Sequence, residues 1–194
     1  MPKEPATTKE AMVEGAFQLI REKGHEFLTA RNLAAFIGCS TQPVMYHFPT
    51  MEHLKAAVYS QADRFHTDYL MRSSGKTDPI LEIGLNYIRF AIKEPHLFRF
   101  LFQSGYAKEN NLLEMIDSEE LVPILSAMQE GVGLDTEKTR EVFLTVALFA
   151  HGYASIIANN ALEFDEGLVA SHLERTFIGA VLAVSQEDDN EKAL

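Results

Sequence analysis

Residues 38–48 read GCSTQPVMYHF. The stretch has the rhythm of a tight turn followed by a short helix, yet Pro43 stands inside the segment that would have to be that helix. With Ser40 as the N-cap, Thr41, Gln42 and Pro43 become the first three helical positions, where backbone N–H groups have no acceptor within the helix. Proline there loses little, and the residue its ring would crowd, Cys39, lies in the turn outside the helix. The residual cost falls on Gln42, which a following proline pushes away from helical geometry.

Working outward, the neighbouring residues fit a helix-turn-helix unit, in which two short helices pack across a turn of fixed length and sterics set residue types at fixed offsets. Ala34 is small enough to let the second helix come close, and Gly38 tolerates positive φ in the turn. Leu33, Ile37, Cys39 and Val44 supply the apolar partners, and Phe48 seals the end. Phe17 and Phe36 are read as core with them. Thr29 is placed to cap the first helix, TARNLAAF, and Ser40 the second, which Pro49 ends.

Almost all the remaining punctuation consists of helix signals. Thr7 and Glu10 are spaced as a capping box. Met12, Val13, Ala16, Phe17 and Ile20 then repeat at helical spacing, with Gly24 as a stop. Thr50 opens a long segment whose apolar positions (Leu54, Ala57, Val58, Phe65, Tyr69) run to about Met71. SSGKTD, residues 73–78, reads as a linker. Asp78 with Pro79 starts a helix to about Lys93, before a break at Glu94-Pro95. HLFRFLFQSGY, residues 96–106, reads as a short aromatic helix. A weaker helical segment covers 110–130, and Gly131 and Gly133 break the chain. Asp135 or Thr136 caps a long apolar helix to about Leu162. Asp165 caps the last one, to about Ser185, and QEDDNEKAL reads as a frayed polar tail. No run of alternating β-branched residues competes, so an all-α fold is expected.

Composition bounds the function. A chain of 194 residues, 46% hydrophobic and 23% charged, suits one substantial core or a small domain joined to a larger one. The lone cysteine, Cys39, excludes an internal disulfide framework and a cysteine-based zinc cluster and fits a reducing compartment. The seven histidines include no pair at i, i+3 or i, i+4, so no metal is expected, and no cofactor is. No nucleophile–base pair or phosphate loop points to an enzyme. No secretory leader is seen, so a cytoplasmic location is expected. The longest apolar run, VFLTVALFAHGYASIIA (142–158), is short for a membrane span and carries Thr145, His151, Tyr153 and Ser155. It is read as a helix buried within the protein or between subunits, with no membrane partner. Net charge is −11. Residues 1–75 carry eight Lys and Arg against eight Asp and Glu, and residues 76–194 carry nine against twenty. If any part approaches a polyanion, it is the first.

Residues 8–58 resemble the DNA-binding domain of the TetR family of bacterial transcriptional regulators. The resemblance rests on TARNLAAFIGCSTQPVMYHFPTMEHLKAAV (29–58), preceded by a helix ending in REKG. The family pattern is met at Thr29, Ala34, Gly38, Ser40, Tyr46, His47, Phe48, Glu52 and Leu54. The rest of the chain is similar to the family in architecture only. The resemblance implies three parts. They are a three-helix helix-turn-helix DNA-binding domain over 1–50 (motif about 29–48), a connecting helix over 51–73, and a helical effector-binding and dimerisation domain over 74–194. Two positions depart from the pattern. Thr41-Gln42-Pro43 stands where family members often carry Lys-Gly-Thr, and Met51 where they often carry Lys. The reader is therefore expected to lean on shape and amide contacts more than on charge.

Roles follow on that basis. Thr41, Gln42 and Met45 are assigned to base edges, with Pro43 offering an apolar face to a thymine methyl. Thr29, Ser40, Tyr46 and His47 are assigned to phosphates; the plain alternatives are an exposed helix face and simple capping. An apolar or amphipathic effector is expected among His66, Phe98, Phe102, Tyr106, Met115, Met128, Phe149 and Tyr153, with His151 and Asn159 as polar handles. The plain alternative for each is core. Small residues at Gly152, Ala154 and Ala158, and at Gly179, Ala180 and Ala183, fit a homodimer interface through the last two helices, or burial within one subunit. A symmetric reader of palindromic double-stranded DNA requires the dimer. The expected function is a ligand-responsive repressor. The alternative is a helical small-molecule sensor or carrier whose DNA-binding head is weakened or lost.

Overall fold

The structure, a computed structural model, describes residues 8–75, 78–106, 121–160 and 162–191. Among these residues there are nine α-helices, one 3-10 turn (His25–Phe27) and no strand. The helices are α1 (Lys9–Lys23), α2 (Ala30–Ile37), α3 (Thr41–His47), α4 (Met51–Leu70), α5 (Pro79–Lys93), α6 (Pro95–Gln103), α7 (Val122–Val132), α8 (Thr136–Asn160) and α9 (Glu166–Glu191). Contacts divide the chain into two compact units. One comprises Met1–His66 with Lys93–Lys108, the other Thr67–Ile92 with Glu109–Leu194. This partition is cut differently from the three expected segments: it assigns α6 to the first unit and divides α4 after His66.

In the first unit, α1 buries Met12, Ala16, Phe17 and Ile20 and packs on α2, where Leu33 and Ala34 are buried, while α2 packs in turn on α3, where Val44 is buried. Each large side chain so buried contributes about 1.5–3 kcal/mol. Gly15 makes the α1–α2 approach possible, because a Cβ there would lie 2.3 Å from Ile37 Cγ2. From α6, Phe98, Phe100 and Leu101 complete the core. A bidentate pair ties α1 to the chain just before α6. Arg21 Nε donates to Glu94 Oε2 at 2.7 Å, and Nη2 donates to Oε1. That hydrogen bonding holds the guanidinium charged, above its ordinary pKa.

Several local expectations need correction. The N-cap of α1 is Thr8, whose hydroxyl accepts from Ala11 N at 3.1 Å; Thr7 lies outside the described residues. The helix starts at Lys9, which puts the Thr8 oxygen, three residues back, in reach of that amide. Ser40 occupies the N-cap position of α3, but its side chain makes no capping bond. Phe36 is not core: it is 41% exposed on the outer side of α2. Gly131 does not break the chain; it stays within α7, which ends at Gly133 in the left-handed conformation. The last helix does not stop near Ser185 but continues to Glu191.

The second unit is framed by aspartate caps. Oδ1 of Asp78 accepts from Ile80 N at 3.0 Å, Oδ1 of Asp135 from Lys138 N at 3.0 Å, and Oδ1 of Asp165 from Leu168 N at 3.0 Å. One core gathers Leu70, Ile124, Met128, Val142, Ala180 and Val184. A polar row on α5 secures the end of α4. Asn86 Nδ2 donates to Leu70 O at 3.1 Å and Arg72 O at 2.7 Å, while Glu82 accepts from Ser74 N and Ser73 Oγ. These bonds satisfy groups that a helix end leaves orphaned. Hydrogen bonding from the Ser74 side chain foremost, and from Ser74 N and Ser73 Oγ, holds the Glu82 carboxyl below its ordinary pKa.

Candidate nucleic-acid interface and effector domain

The turn between α2 and α3 is built as its residues require. Gly38 sits in the left-handed region at φ 73°, where a side chain would be strained although nothing crowds it. Cys39 N then donates to Ala34 O at 2.9 Å, closing the end of α2. Thr29 caps α2 by accepting from Asn32 N at 3.1 Å. Its hydroxyl proton remains a donor for a phosphate.

In α3, Pro43 is the third helical residue, and the helix carries on past it to His47. Val44 is fully buried and Phe48 nearly so, which fixes the rotation of the helix. Thr41, Gln42, Met45 and Tyr46 are consequently exposed, Tyr46 at 80%. Its ring meets His47 edge-on, with centroids 5.1 Å apart. Pro43 and His47 are half-buried, and Ser40 and Thr29 are exposed. All eight residues expected at DNA therefore cluster on or beside α3 and the start of α2.

Two lysines near this face differ in how far they are committed elsewhere. Lys55 is drawn away, since its Nζ donates to Tyr106 Oη and to Glu52 Oε1. The Tyr106 bond raises the pKa of that amine above its ordinary value. Lys9 of α1, which sequence reasoning missed, stands over the Phe48 ring at 5.6 Å and brings a cation to the end of α3. Nothing in the order of residues signals that contact, which spans the whole motif.

The residues expected around an effector are divided between the two units. His66, Phe98, Phe102 and Tyr106 fall in the first unit, whereas Met128, Phe149, His151, Tyr153 and Asn159 fall in the second. Met115 lies outside the described residues. In the first unit Phe98 is fully buried, and Phe102 packs on Phe98 and His66 with centroids 5.1 and 5.2 Å apart. In the second, Met128 belongs to the core, Phe149 stacks near Tyr153, and Asn159 is exposed. His151 does occupy a polar niche: its Nδ1 lies 2.9 Å from the Tyr87 hydroxyl and its Nε2 3.4 Å from Ser155 Oγ. Burial pushes the imidazole pKa down and the Tyr87 phenol up, keeping both neutral. Among the described residues no cluster of three or more His, Cys, Asp or Glu could hold a metal.

On the last two helices the small residues divide. Ala154 and Ala180 are buried within the chain, where α8 and α9 pack on each other. Gly152, Gly179 and Ala183 are exposed, and Ala158 is half-buried. The exposed ones lie beside large apolar side chains also left open: Leu148 and Ile156 on α8, Ile178 and Leu182 on α9. Leu148, Gly152 and Ile156 recur every four residues and so share one face. By length and composition alone both helices would suffice to cross a membrane.

Comparison with known proteins identifies the domain. Residues 80–178, half of the chain, match the family model of the tetracyclin repressor-like C-terminal domain. The chain belongs to the TetR family of transcriptional regulators. The match is made by sequence in the very part where only architectural likeness was expected. The fold resembles a TetR-family transcriptional regulator from Streptomyces coelicolor (TM-score 0.72, 16% identity, 98% of this chain and 86% of that one). It also resembles a TetR transcriptional regulator from Rhodococcus sp. RHA1 (TM-score 0.51, 18% identity, 89% and 95%). A third likeness is to the multidrug binding protein EbrR complexed with imidazole (TM-score 0.52, 18% identity, 88% and 91%). No curated protein matches the sequence.

Proposed function

We propose that this TetR-family regulator is a repressor that binds a palindromic operator as a homodimer and releases it when a small apolar or amphipathic effector binds. The observation that carries the reading is the rotation of α3. Val44 and Phe48 are held in the core, while Thr41, Gln42, Met45 and Tyr46 are turned outward. Gln42 bonds an adenine edge in two places, Met45 and Pro43 meet thymine methyls, and Thr29, Ser40, Tyr46, His47 and Lys9 hold phosphates. Two subunits joined through the open apolar face of α8 and α9 would present two such helices about one turn of DNA apart. That face supports a subunit interface, as it would otherwise stay in water. Family regulators are not enzymes as a rule, and no catalytic role is proposed.

The test is selection of bound duplexes from a random pool with the full-length protein, followed by affinity measurement with wild type and Gln42→Ala. Bound sequences should be palindromic. If no selected duplex binds below micromolar even at low salt, the reading is abandoned. A head that has lost DNA binding, leaving a small-molecule sensor, is the second reading; the commitment of Lys55 to Tyr106 and Glu52 favours it. Effector binding without any duplex binding would select it.

A further inference from the structure

None of the aromatic residues singled out in the sequence lines the groove that opens in the second unit. It has a volume of about 320 Å³ and lies where the start of α5, the end of α7, α8 and α9 meet. That volume is at the lower end of small-molecule sites. Its walls are apolar, built by Ile80, Leu81, Val132, Val146, Leu173 and Phe177, with Ile178 at the edge it shares with the open face of α9. Two glycines keep it open. A Cβ on Gly84 would stand 3.3 Å from Leu173 Cδ1, and one on Gly131 would stand 3.4 Å from Ile80 Cδ1. Larger side chains at either position would take up the space.

The charged groups lining the groove are of one sign, the exposed carboxylates of Asp78 and Glu174, with no Lys, Arg or His among its lining residues. Asp78 caps α5 through Oδ1, which leaves Oδ2 for a ligand. Residues 76–194 also carry the whole excess negative charge, nine basic against twenty acidic, so the surrounding field raises the local concentration of cations. An anion would meet repulsion here. A bare metal ion would find apolar walls in place of oxygen ligands.

We infer that this groove between α5, α7, α8 and α9 binds an amphipathic organic cation, its hydrocarbon part against the apolar walls and its ammonium facing Asp78 and Glu174. The site stands on the groove itself, and it depends on the regulatory reading above only for its consequence at DNA.

The test uses full-length protein, calorimetric titration and benzyltriethylammonium as probe, against benzylsulfonate and benzyl alcohol. The cation should bind at least about tenfold more tightly than the anion, and more weakly as salt is raised. Gly131→Leu should reduce cation binding about tenfold or more by filling the groove. Glu174→Gln should reduce it roughly threefold, the scale of one exposed ion pair, and leave benzyl alcohol unchanged. Equal binding of cation and anion, or undiminished binding by Gly131→Leu, overturns the site. So does failure of wild type to bind the cation while Gly131→Leu alters sedimentation, which would mean that a second copy fills the groove. Duplex affinity is measured in parallel. A cation that binds without changing it leaves the site standing and removes its effector role. Absence of any duplex binding overturns the regulatory reading and not the site.

Discussion

Gln42 illustrates how much rests on single side chains. Its amide is exposed at the second position of α3, with no lysine beside it to compensate. Gln42→Ala should therefore weaken the selected duplex by about 1–3 kcal/mol and relax preference at one base pair, read by fluorescence anisotropy. Thr41→Lys, restoring a charge where family members often carry it, should strengthen all duplexes and steepen the salt dependence by about one unit of slope. His66 behaves oppositely to a surface group. Burial pushes its imidazole from 6.5 down to about 3, so the unfolded chain takes up a proton that the folded one refuses. Stability from this residue is complete above pH 6.5 and drains as pH falls from there toward 3, by up to ~1.4 kcal/mol per pH unit. Thermal melts between pH 7.5 and 5 should show His66→Gln losing less than wild type over that window. The exposure of Gln42 is legible from Ser40 onward. The burial of His66 is not, because its neighbour Phe102 lies on another helix.

At the scale of elements, caps and turns were the readable part. Thr29 and Asp165 cap the helices assigned to them, Asp135 and not Thr136 caps α8, and Thr50 and Asp78, expected as helix starts, accept capping bonds, since capping is a contact over two or three residues. Ser40 shows the limit: it holds the cap position without the bond, the helix start being set by the Gly38 turn and the burial of Val44. Gly15 is the opposite case. A glycine inside a helix costs about 1 kcal/mol relative to alanine, a signal that it serves packing, but only the structure shows Ile37 against it. Gly15→Val should destabilise the first unit by about 1–3 kcal/mol. Adding Ile37→Ala should recover part of that loss, and the difference in denaturant midpoints measures the coupling.

For the whole molecule, the open apolar face of α8 and α9 carries the largest consequence. Buried shares of their apolar windows are only 22% and 17%, low for helices of that composition unless another surface covers them. Ile156→Glu combined with Leu182→Glu should convert a dimer to a monomer in sedimentation velocity. The same change should reduce duplex affinity by at least about a hundredfold, because two half-sites no longer bind together. A dimer that persists through both substitutions would place the interface elsewhere.

The order of residues by itself determined where helices form, though not all their ends, the turn at Gly38 and the side of α3 that faces outward, because each depends on spacings of two to seven residues along the chain. It also pointed to the family, through the motif at 29–58, although the match that shows the family lies in residues 80–178. Only the tertiary structure decided which aromatic residues share a unit, which small residues pack within the subunit, that Lys9 stands by Phe48, and that Lys55 is spent on Tyr106. Those outcomes depend on contacts between residues tens of positions apart, and periodicity within one helix carries no information about the partner it meets.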